Sequence, residues 1–229
     1  MLGFILRNLK RLSLMSFHLV FKRILLIILA LIVLLMLMVG IHLGYNFLTH
    51  NVHEVIPDKI YRSGQLDKKE LTSVTEKYHI KSMINLRGAW SGDSWYDVES
   101  RFAAENHIDY HSIRLSAYKL PPKQKIRDLV FLLETVPKPI IFHCEGGADR
   151  TGMAAAISLI LFSNDPSVAQ IKEQASWHYN AISRFTVGYQ MLRNYFEWLK
   201  KNNLPQSKKN FIQWLNSNEK MQPYEGWFL

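Results

Sequence analysis

Ten consecutive residues near the middle of the chain combine a nucleophile with groups that bind anions. They are His143, Cys144, Glu145, Gly146, Gly147, Ala148, Asp149, Arg150, Thr151 and Gly152. Apolar residues 139–142 predict a buried strand before this segment, and apolar residues 153–162 predict a buried helix after it. A loop at a helix N-terminus gathers backbone N–H groups around an anion, and that field favours a cysteine thiolate. The arginine can donate two parallel hydrogen bonds to a phosphate, so the segment predicts attack on a phosphoryl group.

The spacing of these residues resembles a known family signature. His-Cys, five residues and Arg-Thr-Gly is similar to the signature loop of the protein tyrosine phosphatase superfamily. The order of elements around it resembles the compact dual-specificity branch, and residues 61–65, Tyr-Arg-Ser-Gly-Gln, resemble the start of atypical dual-specificity phosphatases. The resemblance implies a cysteine-phosphatase fold and hydrolysis of phosphate monoesters through a phosphocysteine. It implies no metal and no cofactor.

The resemblance also assigns roles within the segment. Cys144 matches the nucleophile, and Arg150 matches the arginine that holds the equatorial oxygens of the transferred group. Thr151 matches the hydroxyl that hydrogen-bonds the sulfur, and His143 matches the residue that orders the loop. The phosphate is expected to contact the backbone N–H groups of Glu145, Gly146, Gly147, Ala148, Asp149 and Arg150.

The general acid departs from the familiar pattern. Dual-specificity enzymes usually supply an aspartate from the loop that here covers residues 115–120, and Leu-Ser-Ala-Tyr-Lys-Leu contains no carboxylate. Asp149 is the leading substitute, because it directly precedes the arginine, as in myotubularins and Sac-type phosphatases. Its structural alternative is a carboxylate at a helix N-terminus. Asp93 is the second candidate, and Asp97 and Glu99 are weaker because both fall within a predicted helix.

Two further features concern the substrate. Arg87 ends a predicted strand beside the site, so we expect it, with Asp93, to contact substrate; a surface ion pair is the alternative. Glu145 and Asp149 place two acids in the loop, which argues against a polyphosphorylated inositol. Phosphotyrosine in a protein, or a simple phospholipid or glycolipid headgroup, fits better.

The N-terminal region predicts a membrane anchor. Residues 24–41 contain no charge, and residues 24–48 are long enough to cross a hydrocarbon layer as a helix. A cleavable signal peptide is the rival interpretation, but the run is long and no small-x-small site follows it. The predicted organisation is a basic cytoplasmic leader (1–23), a transmembrane anchor (24–48), a connector (49–57) and a catalytic domain (58–229).

Charge distribution sets the expected orientation and partners. The formal net charge is +9, and the first 49 positions hold five basic residues and no acidic ones. The positive-inside rule then predicts a cytoplasmic N-terminus and a catalytic domain on the outer side, the periplasm of a bacterium. The remaining 23 basic and 19 acidic residues give only +4, so no nucleic-acid partner is expected.

Alternating apolar and amphipathic segments predict an α/β fold, a mostly parallel central sheet flanked by helices and preceded by one transmembrane helix. Strands are expected over residues 60–66, 81–86, 108–115 and 139–142. Helices are expected over 68–78, 95–106, 121–135, 151–163, 167–176, 186–202 and 207–217. The alternative to an enzyme is a pseudophosphatase that binds phosphate without turnover, which the missing loop aspartate would favour.

Overall fold

In a computed structural model, the chain divides into two compact units, Met1–Tyr45 and Asn46–Leu229. The structure describes residues 2–181, 183 and 185–224, with the backbone alone for residues 2–19. Residue 1 of the predicted leader and residues 182, 184 and 225–229 of the predicted catalytic domain lie outside the described residues. One sheet contains five strands, β1 (His53–Ile56), β2 (Ile60–Ser63), β3 (Ser82–Asn85), β4 (Asp109–Ser112) and β5 (Ile140–His143).

Eight α-helices occur in the described residues. They are α1 (Leu2–Leu48), α2 (Lys68–Tyr78), α3 (Ser94–Glu105), α4 (Lys123–Thr135), α5 (Asp149–Phe162), α6 (Val168–Glu173), α7 (Val187–Lys201) and α8 (Lys208–Asn216). The predicted helices of the globular unit are all present, and α6 is shorter than expected. The structure confirms an α/β sheet flanked by helices.

Strand order brings the active elements to one edge of the sheet. The order is β1-β2-β5-β3-β4, and β2, β5, β3 and β4 run parallel. At the last register position, His143 of β5 lies between Ser63 of β2 and Asn85 of β3. Because parallel strands end at the same edge, the loops after β2, β3 and β5 meet there.

The sheet is buried on both faces, which explains why its central strands are apolar runs rather than alternating patterns. Ile140 and Phe142 of β5 face a core that includes residues of α4, α5, α7 and α8. Ile141 faces a smaller core with residues of α2 and α3. Successive side chains of a strand point to opposite faces, so one strand serves both cores.

Residues 49–57 differ from the predicted connector. His53–Ile56 form β1, which pairs antiparallel with β2, and Asn51 is buried. The globular unit begins at Asn46, so the last three residues of the predicted anchor also belong to it. A four-residue edge strand has little periodicity of its own, and its hydrogen bonds come from a neighbour that follows later in the chain.

Helix α1 contains a segment that could cross a membrane. Within Val20–Leu48, the most apolar window of 18 residues has a mean hydropathy of 3.5, and none of that window is buried. The predicted anchor, residues 24–48, lies within this segment. Length and composition support a membrane span, although a signal sequence passes the same test.

Candidate active site

The predicted strand, loop and helix are present around Cys144. Strand β5 ends at His143, helix α5 begins at Asp149, and residues 144–148 form the loop between them. Cys144 is buried, with 3% of its surface exposed, at the edge where β2, β3 and β5 end. The nucleophile predicted from the sequence therefore stands at the start of a loop that closes onto a helix N-terminus.

Carbonyl oxygens of this loop accept hydrogen bonds from residues outside the loop. The backbone N–H of Gln65 donates to the Glu145 carbonyl oxygen at 2.9 Å. The Asn51 side chain donates through Nδ2 to the Gly146 carbonyl oxygen at 3.2 Å, and to that of Tyr179 at 2.9 Å. Both donors belong to segments before the signature loop, so the start of the globular unit fixes the loop's backbone.

Arg62 holds the next two carbonyl groups. Its Nη2 donates to the Gly147 oxygen at 2.8 Å and to the Ala148 oxygen at 3.4 Å. Its Nη1 donates to the backbone and side-chain oxygens of Gln174, and its guanidinium lies 3.8 Å from the centre of the Tyr179 ring.

Arg62 is a buried cation. No part of its surface is exposed, and this burial lowers its pKa to about 10, while Tyr179 and the nearby Cys144 act to raise it. A pKa of about 10 still leaves the guanidinium protonated at neutral pH. The side chain therefore keeps a permanent positive charge beside the loop that begins at Cys144.

The outward carbonyl groups determine where the N–H groups point. In a trans peptide the C=O and the following N–H point in opposite directions. With the carbonyl groups of residues 145–148 held outward, the N–H groups of residues 146–149 face the inside of the loop. In the described part of the chain, none of these N–H groups donates to a protein acceptor. The loop thus presents converging donors, the geometry that suits an anion.

Gly147 permits this packing. Its φ of +67° lies in the left-handed region, and an added Cβ would lie 2.6 Å from the Gly64 nitrogen and 2.8 Å from the Ser63 carbonyl carbon. Any larger residue would push the signature loop away from the end of β2 and weaken the contact with Arg62.

A second network holds the residue before the cysteine. His143 Nδ1 lies 3.2 Å from the Cys144 carbonyl oxygen, and its Nε2 lies 2.9 Å from Glu99 Oε1. The Tyr110 hydroxyl donates to the same Glu99 oxygen at 2.6 Å, and Gln65 Nε2 donates to Oε2 at 2.5 Å. Glu99, considered in the sequence only as a weak acid candidate, is the centre of this network.

The Glu99 carboxyl is ionised within this network. Burial raises its pKa, but the charge and hydrogen bond of His143, together with the bonds from Tyr110 and Gln65, outweigh burial. The net pKa lies below its ordinary value of 4.5. A carboxylate with its acceptor sites filled by three side chains cannot readily give up a proton to substrate, so its position fits an ordering role.

Arg150 and Thr151 make different contacts. Arg150 is half-buried, and its Nη1 approaches the Leu115 carbonyl oxygen at 3.4 Å. The Thr151 hydroxyl donates to the Ser63 carbonyl oxygen at 3.4 Å. In the described residues no hydrogen bond joins this hydroxyl to the Cys144 sulfur, so the predicted sulfur contact requires the hydroxyl to rotate.

Asp149 faces helix α7 instead of the cavity. Its Oδ1 accepts from the Gly188 N–H at 2.5 Å, and its Oδ2 accepts from the Val187 N–H at 3.2 Å. Burial holds the pKa of the Asp149 carboxyl above its usual value, although these hydrogen bonds and Arg150 act to lower it. Both carboxylate oxygens therefore bind the first residues of α7. The alternative given for Asp149 was a carboxylate at a helix N-terminus, and the helix it contacts is α7 and not its own helix, α5.

A cavity of about 730 Å³ opens beside the loop. It is lined by Arg87, Trp90, Asp93, Trp95, Arg114, Leu115, Ser116, Ala117, Tyr118, Lys119, Glu145 and Arg150. The predicted substrate contacts Arg87 and Asp93 are therefore placed together with Arg150. Asp149 does not line this cavity.

Sequence reasoning missed Asn51, Arg62 and Gln65 as parts of the site. Arg62 carried one usable signal, because it is a charged residue inside a strand whose neighbours are buried. A cation in such a position requires hydrogen-bonded acceptors. Asn51 and Gln65 carried no comparable signal, since each acts through a contact with a distant loop.

The loop of converging N–H groups after Cys144, together with Arg62 and Arg150, has the geometry of a phosphate-binding site. Residues 43–169 match the family model described as the tyrosine phosphatase family. This match covers more than half of the chain, and the chain belongs to that family. A comparison with curated proteins gives no match.

Two solved structures of the Siw14 catalytic core show the same fold. The core catalytic domain of Siw14, a PP-IP phosphatase from S. cerevisiae crystallised with citrate, is 21% identical with a TM-score of 0.52. The match covers 69% of this chain and 96% of that chain. A second Siw14 catalytic core is 21% identical over 69% and 95% of the two chains, with a TM-score of 0.51. P. aeruginosa TpbA is 16% identical over 58% and 78%, with a TM-score of 0.44.

The network around Glu99 predicts a pH-dependent loss of stability. Because the native pKa of Glu99 lies below 4.5, its ionised form stabilises the fold above about pH 4.5. This contribution disappears as pH falls through the native pKa. Glu99→Gln should therefore lower the free energy of unfolding by about 1–3 kcal/mol at pH 7, and by less at pH 4.

Urea unfolding of the full chain in detergent at both pH values measures this difference. Glu105→Gln, an exposed glutamate at the end of the same helix, is the matched control and should cost less than about 0.5 kcal/mol. An equal cost of Glu99→Gln at pH 4 and pH 7 would contradict the ionised network.

Proposed function

We propose that this chain is a membrane-anchored phosphatase that hydrolyses phosphate monoesters through a phosphocysteine on Cys144. The observation that supports it most is the set of loop carbonyl groups held outward by Gln65, Asn51 and Arg62, which turns N–H donors toward a bound phosphate. The substrates that fit are phosphotyrosine in a protein and a phospholipid or glycolipid headgroup.

In the first step, the Cys144 thiolate attacks phosphorus. A phosphorus–sulfur bond forms while the ester phosphorus–oxygen bond breaks, and the leaving oxygen takes a proton. Arg150 and the N–H groups of the loop stabilise the equatorial oxygens, whose charge is greatest in the transition state. Arg62 acts through the loop, since its guanidinium holds the backbone and does not line the cavity.

In the second step, water attacks the phosphocysteine. A new phosphorus–oxygen bond forms, the phosphorus–sulfur bond breaks, and the thiolate and inorganic phosphate are released. We propose that Thr151 rotates from Ser63 to hydrogen-bond the departing sulfur, as the resemblance implied. His143, held by Glu99, keeps the Cys144 carbonyl and the start of the loop in place.

We propose that Asp93, the second candidate from the sequence, serves as the general acid in preference to Asp149. Asp93 is exposed and lines the cavity, whereas both oxygens of Asp149 accept hydrogen bonds from α7. Asp93 precedes α3 without capping it through its side chain, so its carboxyl is available to a leaving group. The pseudophosphatase alternative gains support from the lack of a carboxylate in residues 115–120.

One prediction separates these assignments. General acids matter for alkoxide leaving groups and little for p-nitrophenolate, which leaves without a proton. Asp93→Asn should lower kcat/KM about 100-fold for propyl phosphate and less than about tenfold for p-nitrophenyl phosphate. Asp149→Asn should affect the two substrates equally, because its loss acts through α7.

Full-length protein in detergent serves for the assay, with Cys144→Ser as the inactive control. An equal effect of Asp93→Asn on both substrates would remove it from the acid role. Turnover of neither substrate by the unmodified protein, together with binding of tungstate, would establish the pseudophosphatase instead.

Membrane anchoring and orientation form a separate part of the proposal. Val20–Leu48 supports a span. The five basic residues before the uncharged run that begins at residue 24, with no acidic residue among them, support a cytoplasmic N-terminus and a periplasmic catalytic domain. Residence at a bilayer would raise the local concentration of headgroup substrates.

Reporter fusions in a bacterial host test the orientation. A reporter that is active only in the periplasm, fused after residue 50, should be active, and Lys22→Gln with Arg23→Gln should reduce its activity by weakening the charge bias. Activity confined to a cytoplasmic reporter fused at the same position would reverse the orientation, and a soluble, shortened product would identify a signal peptide.

A further inference from the structure

Two arginines line the cavity beside Arg150 without a role in the reaction described above. The Arg87 guanidinium carbon lies 3.7 Å from the centre of the Trp95 ring, and that of Arg114 lies 4.0 Å from the centre of Trp90. Each cation therefore rests on an aromatic face, which fixes its plane while leaving its N–H edge available.

Arg87 is positioned by further contacts. Its Nη1 donates to Gln65 Oε1 at 3.0 Å, and its carbonyl oxygen accepts from Trp90 Nε1 at 3.0 Å. The indole that supports Arg114 is thereby anchored to the backbone of Arg87. A guanidinium held in this way loses little conformational entropy when it binds a ligand.

Gly88 brings the second arginine close. Its φ is +92°, and an added Cβ would lie 2.7 Å from the Arg114 Cβ. No other residue type could keep the turn after β3 this close to the segment after β4. The glycine thus permits Arg114 to stand next to Arg87 at the rim of the same cavity.

The charges of this cavity are not balanced. Among the described residues, neither Arg87 nor Arg114 forms an ion pair with a carboxylate. Four cationic side chains line the cavity, against the carboxyl groups of Asp93 and Glu145; they are Arg87, Arg114, Lys119 and Arg150. Arginines fixed by stacking and left without carboxylates are suited to bind phosphate-like groups.

We propose that Arg87 and Arg114 form a second anion-binding subsite, so that the substrate carries another phosphate-like group near the monoester attacked by Cys144. This inference rests on the proposed function, because it assumes a monoester at the cysteine. It revises the argument that two loop acids exclude further phosphates, since Asp149 faces α7 and two arginines face the cavity. Two kinds of molecule carry a phosphate monoester and a second phosphate group. One is a soluble bisphosphate, and the other is a phospholipid whose headgroup ends in a phosphate monoester.

Two matched substrate pairs test the subsite with full-length protein in detergent. The soluble pair is propyl phosphate and propane-1,3-diol bisphosphate. The lipid pair, in mixed micelles, is a diacylglycerol with a single phosphate monoester and a diacyl phospholipid with a glycerol-phosphate headgroup. In at least one pair, kcat/KM should be about tenfold or more higher for the substrate with two phosphate groups than for the substrate with one. This is the effect expected of one charge-assisted hydrogen bond.

In the double variant Arg87→Gln with Arg114→Gln, the kcat/KM values of the two substrates in a pair should differ by less than about twofold. Arg101→Gln, an exposed arginine on α3 that does not line the cavity, should retain the preference. A preference in the soluble pair supports a free bisphosphate, and one in the lipid pair alone supports a headgroup. The absence of a preference in both pairs, or a preference that survives the double variant, overturns the subsite.

Failure of the proposed function gives a different result. Turnover of none of the four substrates, and none of p-nitrophenyl phosphate, would contradict the phosphatase reaction. The subsite is then decided by calorimetric binding of propyl phosphate and propane-1,3-diol bisphosphate to Cys144→Ser, where tighter binding of the bisphosphate must depend on Arg87 and Arg114. Equal affinity for the two ligands would overturn it.

Discussion

The buried guanidinium of Arg62 is the interaction on which the rest of the site depends. Removing a cation from water is costly, so the fold must surround it with acceptors. Those acceptors include the carbonyl groups of Gly147 and Ala148 and the oxygens of Gln174, with the Tyr179 ring stacked against the cation. The hydrogen bonds of Nη1 and Nη2 therefore also orient the loop, tie β2 to the segment after α6, and hold positive charge near Cys144.

Gln65 connects the signature loop to the cavity that would hold the substrate. Its backbone N–H donates to the Glu145 carbonyl, its Nε2 donates to Glu99, and its Oε1 accepts from Arg87. One residue thus contacts the loop, the carboxylate that orders His143, and an arginine of the cavity. Hydrogen bonds of one residue connect the arginine of the cavity with the groups that order the loop. A substitution at one of these positions should therefore shift the position of the others.

Features that depend on residues close together in the chain could be predicted from the sequence, and features that depend on distant residues could not. Helix α2 begins and ends where expected because its signal is local: Asp67 accepts from the Glu70 N–H three residues later. The strand, loop and helix around Cys144 were likewise readable from a contiguous pattern. By contrast, the contacts of Asp149 with α7 join residues nearly forty positions apart, and the pairing of β1 depends on β2. Such contacts are decided by tertiary packing, which a pattern within one segment does not contain.

Replacing Arg62 by lysine tests the role of the buried guanidinium most directly. Lysine keeps the positive charge but lacks the planar fork that reaches the loop carbonyls and Gln174 together. Tungstate affinity of Arg62→Lys, measured by calorimetry on full-length protein that still unfolds cooperatively, should fall by about tenfold or more. Arg127→Lys, which alters an arginine that donates to the Leu215 carbonyl elsewhere in the fold, should leave it unchanged. A folded Arg62→Lys protein that binds tungstate as tightly as the unmodified chain would contradict the dependence of the anion site on Arg62.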